Sequence, residues 1–285
     1  MAPIDPSLRI AGVTLAVSNL PASVEFYSGV MGLETIEHDG VRALLGAGGT
    51  PKLELHALDR SAPAPPRSTG LFHVAWLHPD RASLAETVQR IGRARWPFTG
   101  ASDHAVSEAL YLDDPDGLGI EIYVDRPRES WEPGPDGHGV RMVTLPLDVE
   151  DLLAQSPGEP GGLISPATTI GHVHLKVSDL DRTGSFYRDI GFEEQAHIPS
   201  ADFVSAGGYH HHIGLNTWQS AGGAPAGEHA PGLRQVRFEL AGADEVDAVA
   251  AAAEREGAQV ERSGAGVAIR DPDEQALLFS VAKTG

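Results

Sequence analysis

The sequence predicts an α+β protein of four βαβββ modules in two homologous halves, paired into cup-shaped mixed sheets. The first observation is an internal repeat: AGVTLAVSNLPASVEFYSGVMGLE, which starts at Ala11, recurs as GHVHLKVSDLDRTGSFYRDIGFE, which starts at Gly171. The second observation is that the halves also correspond further along, with GLFHVAW at Gly70 matching GLRQVRF at Gly232, and that each half splits in two. A chain that resembles itself in this way is built from repeated structural units.

Each module is predicted from the hydrophobic pattern of its segments. LRIAGVTLAV alternates like a half-buried strand, and SNLPASVEFYSGVMG follows as a short amphipathic helix with a polar N-cap. Three strand candidates come next: LETIEHD, VRALLGAG and KLELHAL. From Gly70 the order repeats with the strand LFHVAWL, the helix RASLAETVQRIG, and strands around Ala105–Tyr111 and Gly119–Val124. One module leaves a sheet face exposed, so we expect modules to pair.

The repeats also set the expected domain boundaries. We expect a first domain at residues 1–125, a linker at 126–167 and a second domain at 168–285, with two modules in each domain. The linker is rich in Pro, Gly and Asp, as in RPRESWEPGPDG and SPGEPGG. This composition is typical of irregular connecting chain.

The composition excludes several classes of function. The chain has 21 basic and 40 acidic residues, a net charge of −19 with histidine neutral, so we expect no nucleic-acid and no membrane-surface partner. It has no cysteine, which excludes disulfides and thiolate metal ligands. The start MAPIDPSLRI lacks a signal-peptide pattern, and we expect a cytoplasmic protein. Its 13 histidines stand out, with three consecutive at His210–His212.

Two motifs carry a resemblance to a known family. The opening H-V-x-L-x-V-S-D-L…F-Y-x-x-x-G-F and the ending DPDG-x-x-I-E-I-Y resemble the vicinal oxygen chelate superfamily. That superfamily contains glyoxalases, bleomycin-resistance proteins, fosfomycin-resistance enzymes and extradiol ring-cleaving dioxygenases. The resemblance covers nearly the whole chain outside the linker and implies the fold, but a shared fold does not select the chemistry.

The resemblance implies where a metal would bind. In this superfamily the first and last strands of a module can each offer a ligand, and here modules two and three hold His73, Glu121 and His172. The same positions of modules one and four offer Gly12, Glu54, Gln235 and Leu278. Only pairing of module two with module three unites two imidazoles and one carboxylate, so we expect that pairing and a metal-free second cup. Such a triad is typical of Fe(II) oxygenases, with Mn(II) an open alternative. We interpret Glu54 as a surface charge.

The catalytic assignments also come from the resemblance to extradiol dioxygenases. In the run GGYHHHIGLN it assigns acid–base catalysis to His211, with His210 and His212 left open because the register is uncertain by one residue. An imidazole suits that role because its ordinary pKa of about 6.5 lies near neutrality. The resemblance further implies that His104 and Tyr111 donate hydrogen bonds to reacting oxygens.

Two more histidines are assigned to the substrate pocket. His174 follows His172 by two residues and therefore faces the same side of the strand. His212 is assigned there through its place in the histidine cluster. Extradiol enzymes usually carry an apolar residue at the position of His174, which leaves the ring preference open.

The function that these residues imply is an Fe(II)-dependent, catechol 2,3-dioxygenase-like extradiol enzyme. Its partners are an aromatic diol and O2, both of whose atoms it inserts, and a homo-oligomer is also compatible with the sequence. A glyoxalase-type isomerase is the first alternative. It needs a fourth protein ligand near Gly214, where glyoxalases carry Glu and where His212 is the substitute at hand. A drug-sequestering protein of the bleomycin-resistance type is the second alternative, and it leaves the three metal-type residues unexplained.

Overall fold

The computed structural model describes residues 2–135, 137–156, 158 and 161–282. Its secondary structure follows the predicted order of four βαβββ modules. Module one comprises β1 (Arg9–Val17), α1 (Leu20–Glu25), β2 (Glu34–His38), β3 (Arg42–Ala47) and β4 (Thr50–Ala57). Module two comprises β5 (Gly70–His78), α2 (Arg81–Arg93), β6 (Phe98–Asp103), β7 (Ser107–Asp113) and β8 (Gly119–Asp125). α1 continues as a π-helical turn over Phe26–Val30.

The second half repeats this arrangement after the linker, which contains the short helix α3 (Val149–Leu153). Module three comprises β9 (Thr169–Lys176), α4 (Leu180–Asp189), β10 (Glu193–Ile198), β11 (Ala201–Ser205) and β12 (Ile213–Asn216). Module four comprises β13 (Gly232–Leu240), α5 (Ala243–Arg255), β14 (Val260–Ser263), β15 (Gly266–Arg270) and β16 (Ala276–Val281). No helix in the described part of the chain is long and apolar enough to span a bilayer.

Besides the short helix α3 of the linker, the sequence pattern missed strand β6. Its sequence FTGASD is small and polar, and its residues are exposed or half-buried. Among the described strands, β6 pairs with β7 alone and ends the strand order of the sheet. An edge strand that buries little apolar surface leaves a weak hydrophobic pattern.

Helices α1, α2 and α4 begin where a polar side chain caps the first turn. Asn19 accepts a hydrogen bond from the Ala22 N–H at the start of α1, and Asp80 accepts one from the Ser83 N–H at the start of α2. Asp179 caps α4 in the same way. Each cap satisfies one of the N–H groups that the first turn of a helix leaves without a partner.

Sheet pairing joins the two halves of the chain. Within every module the first strand is parallel to the last, as in β5 with β8 and β9 with β12. Between modules, β5 pairs with β9 and β1 pairs with β13, both antiparallel. Module two therefore shares a cup with module three, and module one with module four, which is the pairing inferred from the ligand positions.

The strands of the second and third modules present different side chains to their two faces. Val74, Trp76, Ile120 and Ile122 belong to the main hydrophobic core, which includes the buried faces of the helices. Alternate residues on the same strands point the other way, into the cup. Glu121 lies between two of these core residues and is buried on the cup side. The alternation explains how a carboxylate enters an otherwise apolar strand.

The repeated Asp-Pro-Asp turns anchor one module to the next. Asp114 accepts hydrogen bonds from the Asp116 and Leu118 N–H groups and from the Tyr27 hydroxyl, at 2.8, 2.9 and 3.1 Å. In the second half, Asp271 accepts equivalent bonds from two backbone N–H groups and from the Tyr187 hydroxyl at 3.0 Å. The turn before the last strand of one module is thus bound to the helix of the module before it.

Candidate metal centre and substrate pocket

Three predicted ligands lie on three adjacent strands around one small residue. Ala75 of β5 is in register with Glu121 of β8 on one side and with His172 of β9 on the other. His73 precedes Ala75 by two residues and faces the same side of β5. His73 is 6% exposed, Glu121 3% and His172 1%, so all three are buried at the floor of the cup.

The donor atoms of this triad converge on one point. His73 Nε2 lies 2.9 Å from Glu121 Oε2, His172 Nε2 lies 3.1 Å from the same oxygen, and the two imidazole nitrogens are 3.3 Å apart. Donors on adjacent corners of an octahedron with bonds of ~2.1 Å are separated by about 3.0 Å. The spacing therefore fits one transition-metal ion held on a single face, with the opposite face toward the pocket.

The charges of the triad also suit a metal ligand set. Burial acts to raise the pKa of Glu121, but the imidazoles of His172 and His73 outweigh it and hold the pKa well below its usual range. Burial lowers the pKa of His172 to about 4, against the opposing effect of Glu121. The site thus offers an ionised carboxylate and a neutral imidazole, the forms that bind a metal ion.

His211 lines the pocket beside the triad, and a chain of hydrogen bonds holds it from behind. Its ring centroid lies 4.0 Å from that of His172. His211 Nδ1 is 2.7 Å from His210 Nδ1, and His210 Nε2 is 3.0 Å from Asp125 Oδ1. The Tyr209 hydroxyl also donates to Asp125, at 3.2 Å. Burial, followed by the neighbouring imidazoles, lowers the pKa of His211 well below its usual range.

This chain of bonds determines the protonation pattern of the two imidazoles. Because a carboxylate only accepts, His210 carries its proton on Nε2, bound to Asp125. Its Nδ1 then accepts a hydrogen bond from His211 Nδ1–H. Nε2 of His211 remains as the lone-pair nitrogen. His172, His210 and His211 are also close enough to form a second potential ligand group, but the mutual bond of the last two already occupies their Nδ1 atoms.

His104 and Tyr111 form a second polar pair on the pocket wall. His104 Nδ1 lies 2.6 Å from the Val143 carbonyl, so this nitrogen carries a proton. His104 Nε2 lies 2.7 Å from the Tyr111 hydroxyl. Burial, with Glu121 adding to it, raises the pKa of Tyr111. The phenol therefore stays protonated. Its O–H can donate either to His104 Nε2 or to a group bound in the cup.

His174 also lines the pocket, and its ring explains the glycine opposite. Gly214 is in register with His174 across the β9–β12 pair. A Cβ at Gly214 would lie 2.8 Å from His174 Cγ, closer than packed atoms tolerate. The ring of His174 thus fills the space in which a fourth ligand from β12 would stand, which disfavours a glyoxalase-type ligand set.

His212 does not line the pocket, contrary to its assignment there. Its Nδ1 accepts a hydrogen bond from the Ala206 N–H at 3.2 Å, and its ring lies 5.0 Å from that of Tyr209. His211 lines the pocket, whereas His212 is not among the residues that line it. His212 is therefore directed into structure behind the cup and cannot replace the missing fourth ligand.

The cup encloses a cavity of about 510 Å³ that is open at one end. Part of its lining was not assigned from the sequence. These residues are Phe72, Met142, Val143, Thr144, Ile198, Phe203 and Trp218. Three of them belong to the linker, which is tied to β6 by hydrogen bonds in both directions between Asp103 and Leu145 at 2.9 Å. Phe203 follows the strand alternation of β11 and was open to prediction. Phe72 lies at a bulge between Leu71 and His73 that interrupts the alternation of β5, and the linker wall depends on tertiary contacts.

The second cup holds a guanidinium at the position that corresponds to the metal site. Arg237 Nη1 lies 3.2 Å from Thr14 Oγ1 and 3.5 Å from Glu54 Oε2. A side chain at Gly12 would overlap the Arg237 guanidinium. Glu54, interpreted as a surface charge, is 20% exposed and lies between two environments. One carboxylate oxygen is 2.8 Å from Nε2 of the exposed His56, and the other is 3.5 Å from Arg237 Nη1.

Comparison with known proteins agrees with this architecture. The profile of the family described as "Glyoxalase/Bleomycin resistance protein/Dioxygenase superfamily" matches residues 9–122 and 169–279. A catechol-2,3-dioxygenase from Bacillus subtilis (strain 168) is 40% identical over 286 residues, covering 99% of this chain and 100% of the relative.

Solved structures share the fold at low sequence identity. A protein from Bacillus subtilis subsp. subtilis strain 168 superimposes with a TM-score of 0.66 at 15% identity, covering 100% of this chain and 87% of that one. Glyoxalase I from Zea mays gives a TM-score of 0.57 at 16% identity, covering 96% and 92%. With its profile matched in both halves and a full-length relative at 40% identity, the chain belongs to the glyoxalase/bleomycin resistance protein/dioxygenase superfamily.

Proposed function

We propose that this protein is an Fe(II)-dependent extradiol dioxygenase that cleaves catechol-type aromatic diols with O2. The observation that carries the proposal is the convergence of His73, Glu121 and His172 at donor spacings of 2.9–3.3 Å on the floor of a pocket. The full-length relative named a catechol-2,3-dioxygenase supports the same chemistry. Mn(II) has similar ligand preferences and is the alternative metal.

The triad would hold the ion by one face and leave the other face to the substrates. When bound, Fe(II) supplies the chelation of both diol oxygens and the activation of dioxygen. The residues of the chain orient the diol and exclude water. Because the three ligands come from three strands of one sheet, the backbone hydrogen bonds of β5, β8 and β9 keep them in position.

His211 would accept the proton that the diol loses on binding. Its Nε2 is the free ring nitrogen, since Nδ1 is bound to His210. Asp125 and His210 act as positioning residues that fix the tautomer of His211. The proton held at His211 Nε2 then returns to the opening ring.

Tyr111 and His104 would serve as donors on the opposite wall of the pocket. The Tyr111 hydroxyl lies within hydrogen-bonding reach of both His104 Nε2 and the Glu121 carboxylate. While His104 Nδ1–H is bound to the Val143 carbonyl, one proton lies between His104 Nε2 and the Tyr111 oxygen, and it belongs to the phenol. This pair can donate a hydrogen bond to an oxygen that becomes negatively charged near the triad.

The proposal is tested with protein reconstituted anaerobically with Fe(II) or Mn(II). On admission of O2, we expect catechol to consume one equivalent of oxygen and to yield a product with the mass of catechol plus two oxygen atoms. With ¹⁸O2, both labelled atoms should enter the product. Absence of oxygen uptake by metal-loaded protein with a panel of catechols would refute the proposal.

A further inference from the structure

The substrate pocket extends well beyond the metal-type triad. Its volume of about 510 Å³ lies within the roughly 300–1,000 Å³ of cavities that enclose drug-sized ligands. A bare benzenediol is a much smaller molecule. Seated on the triad, it would leave a large part of the cavity unfilled, so the cavity has room for a ring substituent.

A line of aromatic rings leads from the triad toward the mouth of the pocket. The ring of His174 lies 5.0 Å from that of His73, and Phe72 lies 5.2 Å from His174. Trp218 continues the line, 5.2 Å from Phe72 and 5.5 Å from His174. These edge-on and tilted contacts are the geometry in which rings attract each other and other apolar groups.

The far end of this line is apolar and open to solvent. Trp218 is 48% exposed and Ile198 is 45% exposed, although both border the pocket. Large apolar side chains at a pocket mouth mark a surface that a ligand covers. A substituent that reached from the ring toward the mouth would bury both side chains.

The described lining of the pocket contains no guanidinium or ammonium group that could pair with a negative substituent. Of the described residues that line it, none is Lys or Arg. Arg126, which follows β8, is held by Asp103 and Glu108 at 2.6 and 2.9 Å and does not line the cavity. The chain as a whole carries a net charge of −19. Burial of a carboxylate without a partner is strongly unfavourable.

We infer that the physiological substrate is a vicinal diol with a neutral, apolar ring substituent, and that Ile198 and Trp218 at the mouth select it over carboxylated diols. The inference rests on the proposed function, since it assumes that the diol oxygens face the triad. It specifies the chemical class of the substituent: alkyl or aryl, without charge.

The first test compares two diols of similar size and branching in the metal-loaded protein. 4-Isobutylcatechol and 3,4-dihydroxyphenylacetate differ mainly in that two methyl groups replace the carboxylate oxygens. We expect kcat/KM to be at least about tenfold higher for the isobutyl compound, a difference typical of an apolar pocket. Calorimetric titration without O2 should show the same order in Kd, independently of turnover.

The second test places a cation at the mouth. Ile198→Arg should lower the preference for the isobutyl compound by about tenfold or more, because the guanidinium can pair with the carboxylate. Val281→Arg is the matched control, since Val281 is 43% exposed, does not line the pocket, and receives the same added charge. It should leave the preference unchanged.

The outcomes separate this inference from the proposed function. Equal kcat/KM and Kd for the two diols in the wild-type protein would overturn the inference while the dioxygenase assignment stands. Cleavage of neither diol, nor of catechol, would refute the proposed function itself. If Val281→Arg shifted the preference as much as Ile198→Arg, overall charge rather than the pocket mouth would set the selectivity, and the role of Ile198 would be wrong.

Discussion

The buried Asp271 makes the stability of the protein depend on pH in an unusual direction. Burial raises the pKa of Asp271 to about 7 from 3.8, with neighbouring Asp273 adding to it, although backbone N–H groups and the Tyr187 hydroxyl oppose the rise. The folded protein thus binds a proton that the unfolded chain has already released. The stabilisation is complete below about pH 3.8 and is lost as the pH rises through about 7.

The perturbation that isolates this effect is Asp271→Asn. The amide has the shape of the neutral carboxyl: its oxygen can accept from the two backbone N–H groups, and its NH₂ can donate to the Tyr187 hydroxyl. The shift of about three pKa units corresponds to about 4 kcal/mol, at about 1.4 kcal/mol per unit. Between pH 4.5 and 7 we expect the variant to gain about 3 kcal/mol relative to the wild type.

Urea unfolding at several pH values between 4.5 and 7.5 measures this difference, because titrations common to both proteins cancel. Asp114→Asn is the matched comparison from the first half. Burial raises the pKa of Asp114 only to about 6, so its gain should be smaller. Wild-type and Asp271→Asn free energies of unfolding that stay parallel across this range would refute the reasoning.

Three further predictions concern the candidate site. Glu121→Ala should abolish stoichiometric metal binding, whereas Glu54→Ala in the second cup should retain it, as measured by metal analysis after gel filtration; equal loss in both variants would contradict the one-site proposal. His211→Ala should keep the metal but lower kcat by about 10²–10⁴-fold, and loss of the metal would make His211 a ligand instead. Asp125→Asn should lower kcat more than it changes KM and should move the pH profile of kcat, because His210 would lose its fixed tautomer; an unaltered pH profile would exclude the positioning role.

The internal repeat made most of the fold predictable. Four occurrences of a strand followed by a helix and further strands implied four modules, and the incomplete ligand sets of the halves implied that module two pairs with module three. The structure has this pairing, through β5 and β9. Strand β6 escaped prediction because it buries little apolar surface.

Part of the candidate site could be predicted from the sequence, and part became visible only in the folded structure. His73, Glu121 and His172 were identifiable because the resemblance to the superfamily implies metal ligands on the first and last strands of a module, and strand alternation is consistent with the face on which they lie. The orientation of the histidine cluster was not identifiable, because GGYHHHIGLN enters β12 from a turn whose register has no hydrophobic pattern to set it. Only the folded chain shows His211 in the pocket and His212 behind it.

The sequence by itself therefore determined the modules and the faces of their strands, since these depend on local periodicity, and its resemblance to the superfamily pointed to His73, Glu121 and His172. The tertiary structure decided the shape and polarity of the pocket. Its walls combine Phe72, Ile198 and Trp218 with linker residues Met142–Thr144, which come from distant parts of the chain. No local pattern records such contacts, because they arise only when packing brings separate segments of the chain against one another.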